Sequence, residues 1–577
     1  DVKLRVTGLK ATTMPGYLPV GAVKTRDYLQ WALRDGEIVS TNVEWKGPIY
    51  DFPYREQNTG LFRIDAKVKA IDYRYLEGWP VANDVEGEIL FENTRFEARL
   101  DTGKFFNAVL NKTTIAVDDF GGSPPMLTIQ GSSEARAEDM SRYLKESPLI
   151  NNVGAFTRFV ALDGPGKLEL GLKIPLGEYD RSRFQTRING KYAISRGHAR
   201  LAFGPELFGI GGSIAFSETS VRSSNLVATA YGNPMTINIA GAGEAGVAVD
   251  FTARADVAQL SDVLPFRMPQ QVKGIADFTG RVFAKGGSTE VTIESGLAGI
   301  TSTLPAPLSI RAEESRRLKV QFSNTGLPAE KIRVTLAGNS QGAAQSSDSP
   351  ESRIDARFQR SFDANGVPKG FFGGVASVGD TLGDVTIPEG MWLAGTLPRF
   401  DFDAWRAAVD AFYPAAPAAE ASAKAESPIA GFDFKLGGMV AYGRPFKAMT
   451  LKGRHGSDGW RMNMDSAEAS GDFTWRPAAL NDRGLVRARL QRFVLAEESP
   501  AIGSAPPTPA DAPEADLPAL DIVAEKFTLK DRELGKLELR ATPQGANWKI
   551  DQLNISNGHL KLETDGLWQR FGDPQKP

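Results

Sequence analysis

The sequence predicts a mainly β protein: one long, twisted antiparallel sheet curled into an elongated apolar groove, with a few short helices. Three observations carry that expectation. Apolar side chains recur at every second position through most of the 577 residues, the period of a strand with one apolar and one wet face. Gly, Asn and Asp stand between these runs and supply the positive φ angles of tight hairpins. The alternation also continues across its joints, whereas sandwiches close about every 100 to 200 residues with a visible boundary.

The pattern is cleanest from Leu517 to Trp568. Leu520, Ile522 and Ala524 alternate, then Phe527 and Leu529, then Leu537, Leu539 and Ala541, then Trp548 and Ile550, then Leu560 and Leu562. Lys, Glu and Arg fill positions between them. Breaks at Lys530-Asp531, Pro543-Gln544-Gly545, Asn557-Gly558 and Asp565-Gly566 make this stretch a meander.

From the start of the chain, Val2, Leu4 and Val6 alternate, and a helix is expected over Arg26–Arg34. Strands return at Ile64, Ala66 and Val68, then Glu88–Leu100, Lys104–Val117 and Met126–Ile129. A second helix, Glu138–Glu146, stops before Ser147-Pro148, because the residue before proline is pushed out of helix. Leu168, Leu170, Leu172 and Ile174 then alternate with Lys167, Glu169, Gly171 and Lys173, and short strands with Gly-rich joints run from Arg187 to Asp250.

A third helix, Val257–Leu264, ends at Pro265, and a fourth, Phe402–Phe412, ends before Pro414. Between them lie strands with Leu318, Val320 and Phe322, with Ile332, Val334 and Leu336, and with Ile354, Ala356 and Phe358. Ala415–Pro428 and Ser499–Asp516 read as flexible insertions without a core. The strand pattern resumes between them at Phe432, Phe434 and Leu436, at Met449 and Leu451, and at Trp460, Met462 and Met464. The rhythm is helix, then meander, four times over residues 1–135, 136–255, 256–401 and 402–577 of one elongated body, without a strict repeat.

Four short helices cannot cover so many strands. About 25 to 35 strands at roughly 4.8 Å each would extend on the order of 120 to 170 Å. An apolar groove of that length has to be closed over or filled with apolar ligand. The residues expected to line it are Leu168, Leu170, Leu172, Ile174, Phe432, Phe434, Leu436, Leu537, Leu539, Trp548, Ile550, Leu560 and Leu562.

Composition narrows the partners. With 41% hydrophobic and 24% charged residues and a formal net charge of −3, the chain folds but offers no basic excess to nucleic acid or anionic headgroups. Zero cysteines exclude disulfides and thiolate metal sites. No run of about 18 apolar residues offers a spanning helix. The chain opens at Asp1 already strand-like, without initiator Met or leader, so we expect a piece of a longer protein whose other parts hold targeting or anchoring segments.

Catalytic motifs reduce to structural ones. Gly241-Ala242-Gly243-Glu244-Ala245-Gly246 has glycines at phosphate-loop spacing, but alternating Val247, Val249 and Phe251 follow where a helix is required, so it reads as a hairpin turn. His198, His455 and His559 are far apart and read as surface or turn residues. Asp118-Asp119 and Asp401 with Asp403 could flank a glycosidic bond, but at strand ends and helix starts they read as turn formers and N-caps. No catalytic residue, metal or cofactor is expected. The helices read as plugs on the groove or its ends, with Tyr28, Trp31, Trp405 and Phe412 as core residues or, alternatively, a lipid gate.

Asp27-Tyr28-Leu29-Gln30-Trp31-Ala32-Leu33 with Asp35-Gly36, Asp51-Phe52-Pro53, and Gly78-Trp79-Pro80 ahead of Gly87-Glu88-Ile89-Leu90-Phe91 form an ordered series. It continues with Thr303-Leu304-Pro305-Ala306-Pro307-Leu308, Leu517-Pro518-Ala519-Leu520-Asp521 and Gly535-Lys536-Leu537-Glu538-Leu539. In order and spacing these segments resemble the YhdP branch of the AsmA-like family, from about Asp27 to Trp568. The resemblance implies the periplasmic part of an inner-membrane-anchored protein of a Gram-negative envelope, whose β-groove conducts phospholipid toward the outer membrane. Its implied partners are phospholipids, the two membranes and envelope proteins. Two further readings stay open: a periplasmic scaffold offering sheet edges to outer-membrane protein strands, and a β-rich glycan enzyme using an acid pair.

Overall fold

In the computed structural model the chain divides into two compact units, Asp1–Arg267 with Asp277–Ile293 and Ser323–Gly326, and Met268–Ala276 with Glu294–Phe322 and Leu327–Pro577. The structure describes the chain apart from residues 19–22, 56–58, 149–159, 202–204, 224, 243–244, 263–268, 286–287, 325–328, 339–352, 363–367, 413–428, 442–443, 477–482, 496–517, 545–546 and 569–577. The expected insertions Ala415–Pro428 and Ser499–Asp516 lie outside the described residues.

The first unit is an antiparallel ladder of mostly consecutive strands, except that Val160–Asp163 is passed over and pairs with Arg187–Leu201. It runs through Val2–Lys10, Leu33–Lys46, Leu61–Tyr73, Ala82–Glu92, Arg95–Phe105, Ala108–Val117, Met126–Glu134, Gly166–Pro175, Arg187–Leu201 and Leu207–Ser217. Ser220–Ser223 and Leu226–Ala230 both bridge from there to Asn233–Ala242, which pairs with Val247–Asp256. Gly241 and Ala242 end one arm of that last hairpin and Val247 opens the other, with Gly241 opposite Val247, and residues 243 and 244 of the glycine stretch lie outside the described residues.

The second unit continues the plan but has parallel joins at two places. Ala329–Gly338, Ile354–Phe362 and Pro368–Val378 are antiparallel, but Pro368–Val378, Gly390–Leu397 and Ile429–Leu436 are parallel neighbours. Met449–Gly456, Gly459–Ser466, Ala469–Arg476 and Leu485–Leu495 are antiparallel again. Leu485–Leu495 then meets Ala519–Leu529 in parallel, and Arg532–Gln544, Asn547–Ser556 and Lys561–Trp568 finish the ladder. A parallel pair needs a connection long enough to return the length of a strand. The two low-complexity stretches fall in two of these three connections.

Helix α1 spans Val23–Ala32, α2 Ala137–Lys145 and α3 Phe402–Phe412. Leu33 and Arg34, expected as the end of the first helix, instead open a strand. The helix expected over Val257–Leu264 is a 3-10 segment, Val257–Asp262. At the Lys530-Asp531 turn both residues have positive φ, 48° and 61°, as a type I′ hairpin requires. Asp565-Gly566, expected as a turn, lies inside the strand Lys561–Trp568, with Gly566 opposite Ile550. Glycine beside a short polar residue signals a turn only where the alternation also breaks, and here Leu567 and Trp568 carry the strand on.

Candidate functional site

Residues directly opposed in a ladder project from the same face, so the registers trace rows of side chains that cross the strands. In the first unit one row reads Leu4, Val43, Ile64, Phe91, Phe96, Val117, Leu127 and Ile174. Beside it runs Val6, Thr41, Ala66, Ile89, Ala98, Ile115, Ile129, Leu172 and Ile188. Leu170, Gly190, Phe216, Val221, Gly241 and Val247 form another, and Leu168, Tyr192, Ile214 and Ser223 the next.

The second unit holds two longer rows. One is Leu336, Ile354, Val378, Gly395, Phe434, Leu451, Met464, Gly471, Leu490, Ala524, Leu537, Ile555 and Leu562. The other is Val334, Ala356, Ala376, Leu393, Phe432, Gly453, Met462, Phe473, Ala488, Ile522, Leu539 and Leu553. No member of either row carries a polar side chain. Both rows pass through antiparallel and parallel joins without changing face.

Of the residues singled out from sequence, Leu168, Leu170, Leu172 and Ile174 are half-buried on the first unit's rows. Phe432, Phe434, Leu537, Leu539 and Leu562 lie on the second unit's two rows, with Leu436 beside them opposite Met449. Ile550 and Trp548 share a face with Ala541 and Pro543, and the Trp548 indole donates to the Pro518 carbonyl over 2.8 Å. Leu560 sits in the turn before the last strand, where the Asn557 side chain accepts from the backbone N–H of His559 and of Leu560.

Leu553 and Ile555 escaped the sequence reading. A bulge between Arg540 and Ala541's partners leaves one extra residue between Ile550 and Leu553. It moves the apolar phase from even to odd positions. The adjacent polar pair Asp551-Gln552 is the signal that could have revealed it.

Several rings on this face lie over glycines of the neighbouring strand. A Cβ added to Gly190 would fall 2.2 Å from the Phe216 ring, and one added to Gly453 would fall 2.2 Å from the Phe432 ring. Only glycine leaves room for a ring in that position, flush with the sheet.

The opposite face is charged and solvated. Cross-strand pairs include Lys67 with Glu88, Lys452 with Asp433, Arg281 with Asp250, and Arg487 and Arg489 with Asp521. The Arg281 hydrogen bond holds the Asp250 carboxyl below its ordinary range, and Arg489 foremost does the same for Asp521. These groups stay ionised at neutral pH and keep that face wet.

The helices bring aromatic side chains to the margin of the first unit. Tyr28 of α1 and Tyr73 are hydrogen-bonded through their hydroxyls at 2.8 Å, as are Tyr75 and Tyr143 of α2 at 2.7 Å. Arg74 stacks 3.9 Å over the Trp31 ring. Burial raises the Tyr73 and Tyr75 phenols far above their usual range. In the second unit the Trp405 indole of α3 donates to the Ala306 carbonyl over 3.0 Å.

Among the described residues the singled-out acids and histidines have these surroundings. Asp401 caps α3, accepting from the Ala404 N–H at 2.9 Å, and Asp119 accepts from the Gly121 N–H at 2.7 Å. His198 contacts Asp163 and Glu206 and stacks on Phe208. His455 packs edge-on against Trp460, and His559 lies in the Asn557 turn. Among the described residues no group of three His, Asp or Glu could hold a metal ion.

The chain is similar to the intermembrane phospholipid transporter YhdP of Escherichia coli (strain K12), at 23% identity over 311 residues, covering 51% of this chain and 23% of the relative. The match thus spans less than a quarter of the relative's length. No solved structure matches the chain. The family described as YhdP protein matches residues 1–576, and the chain belongs to that family.

Proposed function

We propose that this chain is a section of a non-enzymatic conduit that carries phospholipid between the inner and outer membranes of a Gram-negative envelope. Acyl chains lie along the apolar face and headgroups stand at its margin. The observation that carries this reading is the pair of apolar rows in the second unit, each crossing twelve strands of its ladder from Ala329–Gly338 to Asn547–Ser556. Membership of the YhdP family and a relative named for intermembrane phospholipid transport support it.

Physical chemistry fits that use. Each CH₂ moved from water to an apolar surface gains about 0.8 kcal/mol, so a two-tailed lipid gains on the order of 20 kcal/mol along the face. Because the rows repeat the same chemistry at each strand, this gain changes little as the lipid advances. Among the described residues no helix is long and apolar enough to cross a membrane. On this proposal, which family membership supports, the chain acts as the periplasmic part of an inner-membrane-anchored protein, with phospholipids as cargo and both membranes as end points.

A photo-crosslinking residue placed in the protein in its native envelope tests the reading. At Leu170 or Leu539 it is expected to form phospholipid adducts, and at Glu169 or Glu538, which alternate with them, it is not. Adducts at neither pair, or equally at both, would overturn the proposal.

A further inference from the structure

A buried charged pair stands among the apolar side chains of this face in the second unit. Glu330 and Arg360 are directly opposed in the ladder, two residues along from Ile332 opposite Phe358 and four from Val334 opposite Ala356. They therefore share the face that those side chains build. Glu330 is 7% exposed and Arg360 8%, and the Arg360 Nε donates to the Glu330 Oε2. Phe371 opposes Arg360 on the next strand, and the Arg360 guanidinium lies 6.0 Å from the Phe322 ring.

Stability does not explain such a pair. Removing two charges from water costs about what their attraction returns, and well-packed apolar replacements are commonly neutral or better. Its position is informative. Glu330 is the second residue of Ala329–Gly338 and Arg360 the third from last of Ile354–Phe362, so the pair lies at the strand ends, on the margin of the face. Val334, where one long apolar row starts, lies about 13 Å further along the strand at 3.3 Å per residue.

We propose that Arg360 and Glu330 form a headgroup station selective for zwitterionic phospholipid. The guanidinium fork matches a phosphate and the carboxylate matches a primary ammonium. A phosphoethanolamine headgroup carries both. Arg360 pairs with its phosphate and Glu330 with its ammonium, one internal ion pair becomes two across the contact, and no net charge remains in the apolar surroundings. An anionic headgroup without an ammonium leaves Glu330 uncompensated, and an unpaired charge in such a place is costly.

The inference rests on the conduit reading, and one experiment separates the two. The full-length protein with a photo-crosslinking residue at Val334 is incubated with vesicles of equimolar phosphatidylethanolamine and phosphatidylglycerol, and its lipid adducts are identified by mass. Adducts are expected to favour phosphatidylethanolamine by about five- to tenfold. The double substitution Arg360→Met with Glu330→Met is expected to bring the ratio to that of the vesicles, with the thermal midpoint held. Glu330→Gln alone is expected to shift it toward phosphatidylglycerol. Arg360→Lys, which keeps the charge and loses the fork, is expected to weaken the preference. Adducts without preference in the unsubstituted protein, or a preference that survives the double substitution, overturn the station. Absence of any lipid adduct at Val334, Leu170 and Leu539 overturns the conduit with it.

Discussion

Phe216 over Gly190 and Phe432 over Gly453 illustrate how single residues keep the apolar face shallow. With each ring laid along the neighbouring strand, its area is spent on the sheet and does not project from it. Gly190→Val or Gly453→Val forces the ring away, and overpacking of this kind costs roughly 1 to 3 kcal/mol, read as a lower denaturation midpoint. Gly171→Ala is the control. Its added Cβ meets nothing closer than the Asn189 carbonyl oxygen at 3.7 Å, and the midpoint is expected to hold. In the sequence Gly190 belonged to a stretch read as strands with Gly-rich joints, and Gly453 was not singled out. Both sit inside strands, Arg187–Leu201 and Met449–Gly456, because nothing local marks the partner ring that needs the space.

At the scale of elements, apolar period and proline made helices α2 and α3 legible almost to the residue. The third expected helix differs in kind: its described part, Val257–Asp262, is 3-10 and not α, and residues 263 and 264 lie outside the described residues. Asp401 shows how a residue that could suggest catalysis has a plain structural use. Asp401→Ala removes an N-cap and costs about 1 kcal/mol, whereas Asp401→Asn or Ser costs little. Amide exchange in the first turn of α3 is expected to speed up about fivefold in the alanine variant and to change little in the others. The parallel joins were not legible at all. Alternation specifies a face but not a strand direction, so an antiparallel sheet was expected throughout, with Ser499–Asp516 as a loose insertion, and the parallel pairing of Leu485–Leu495 with Ala519–Leu529 departs from it. The length of that insertion, a strand's return journey, held the missing information.

Across the whole molecule, the fold class and many residues of the apolar rows could be read from sequence, because most described strands share a two-residue period with apolar side chains on one side. The rows themselves could not. They depend on register, and register is set by bulges such as the one after Ile550 that a repeating pattern hides. On the proposed reading, continuity matters more than the total of apolar surface. Leu539→Asp places a charge on one of the two long rows, beside Leu553 at its end, at a cost of a few kcal/mol to a passing acyl chain. Lipid delivery in cells is expected to fall at least about tenfold, whereas Glu538→Gln on the wet face leaves it unchanged. Equal delivery by both variants would count against passage along this face.

Where neighbours are antiparallel, each strand bonds only to the two beside it. An extra hairpin inserted into such an array gives the following strand the polarity and side-chain phase it would have met anyway. Growth by twos is therefore silent to what is already built, and the span of such a polypeptide can be tuned in steps of about 10 Å by duplication or loss of a hairpin, leaving every older neighbour in place.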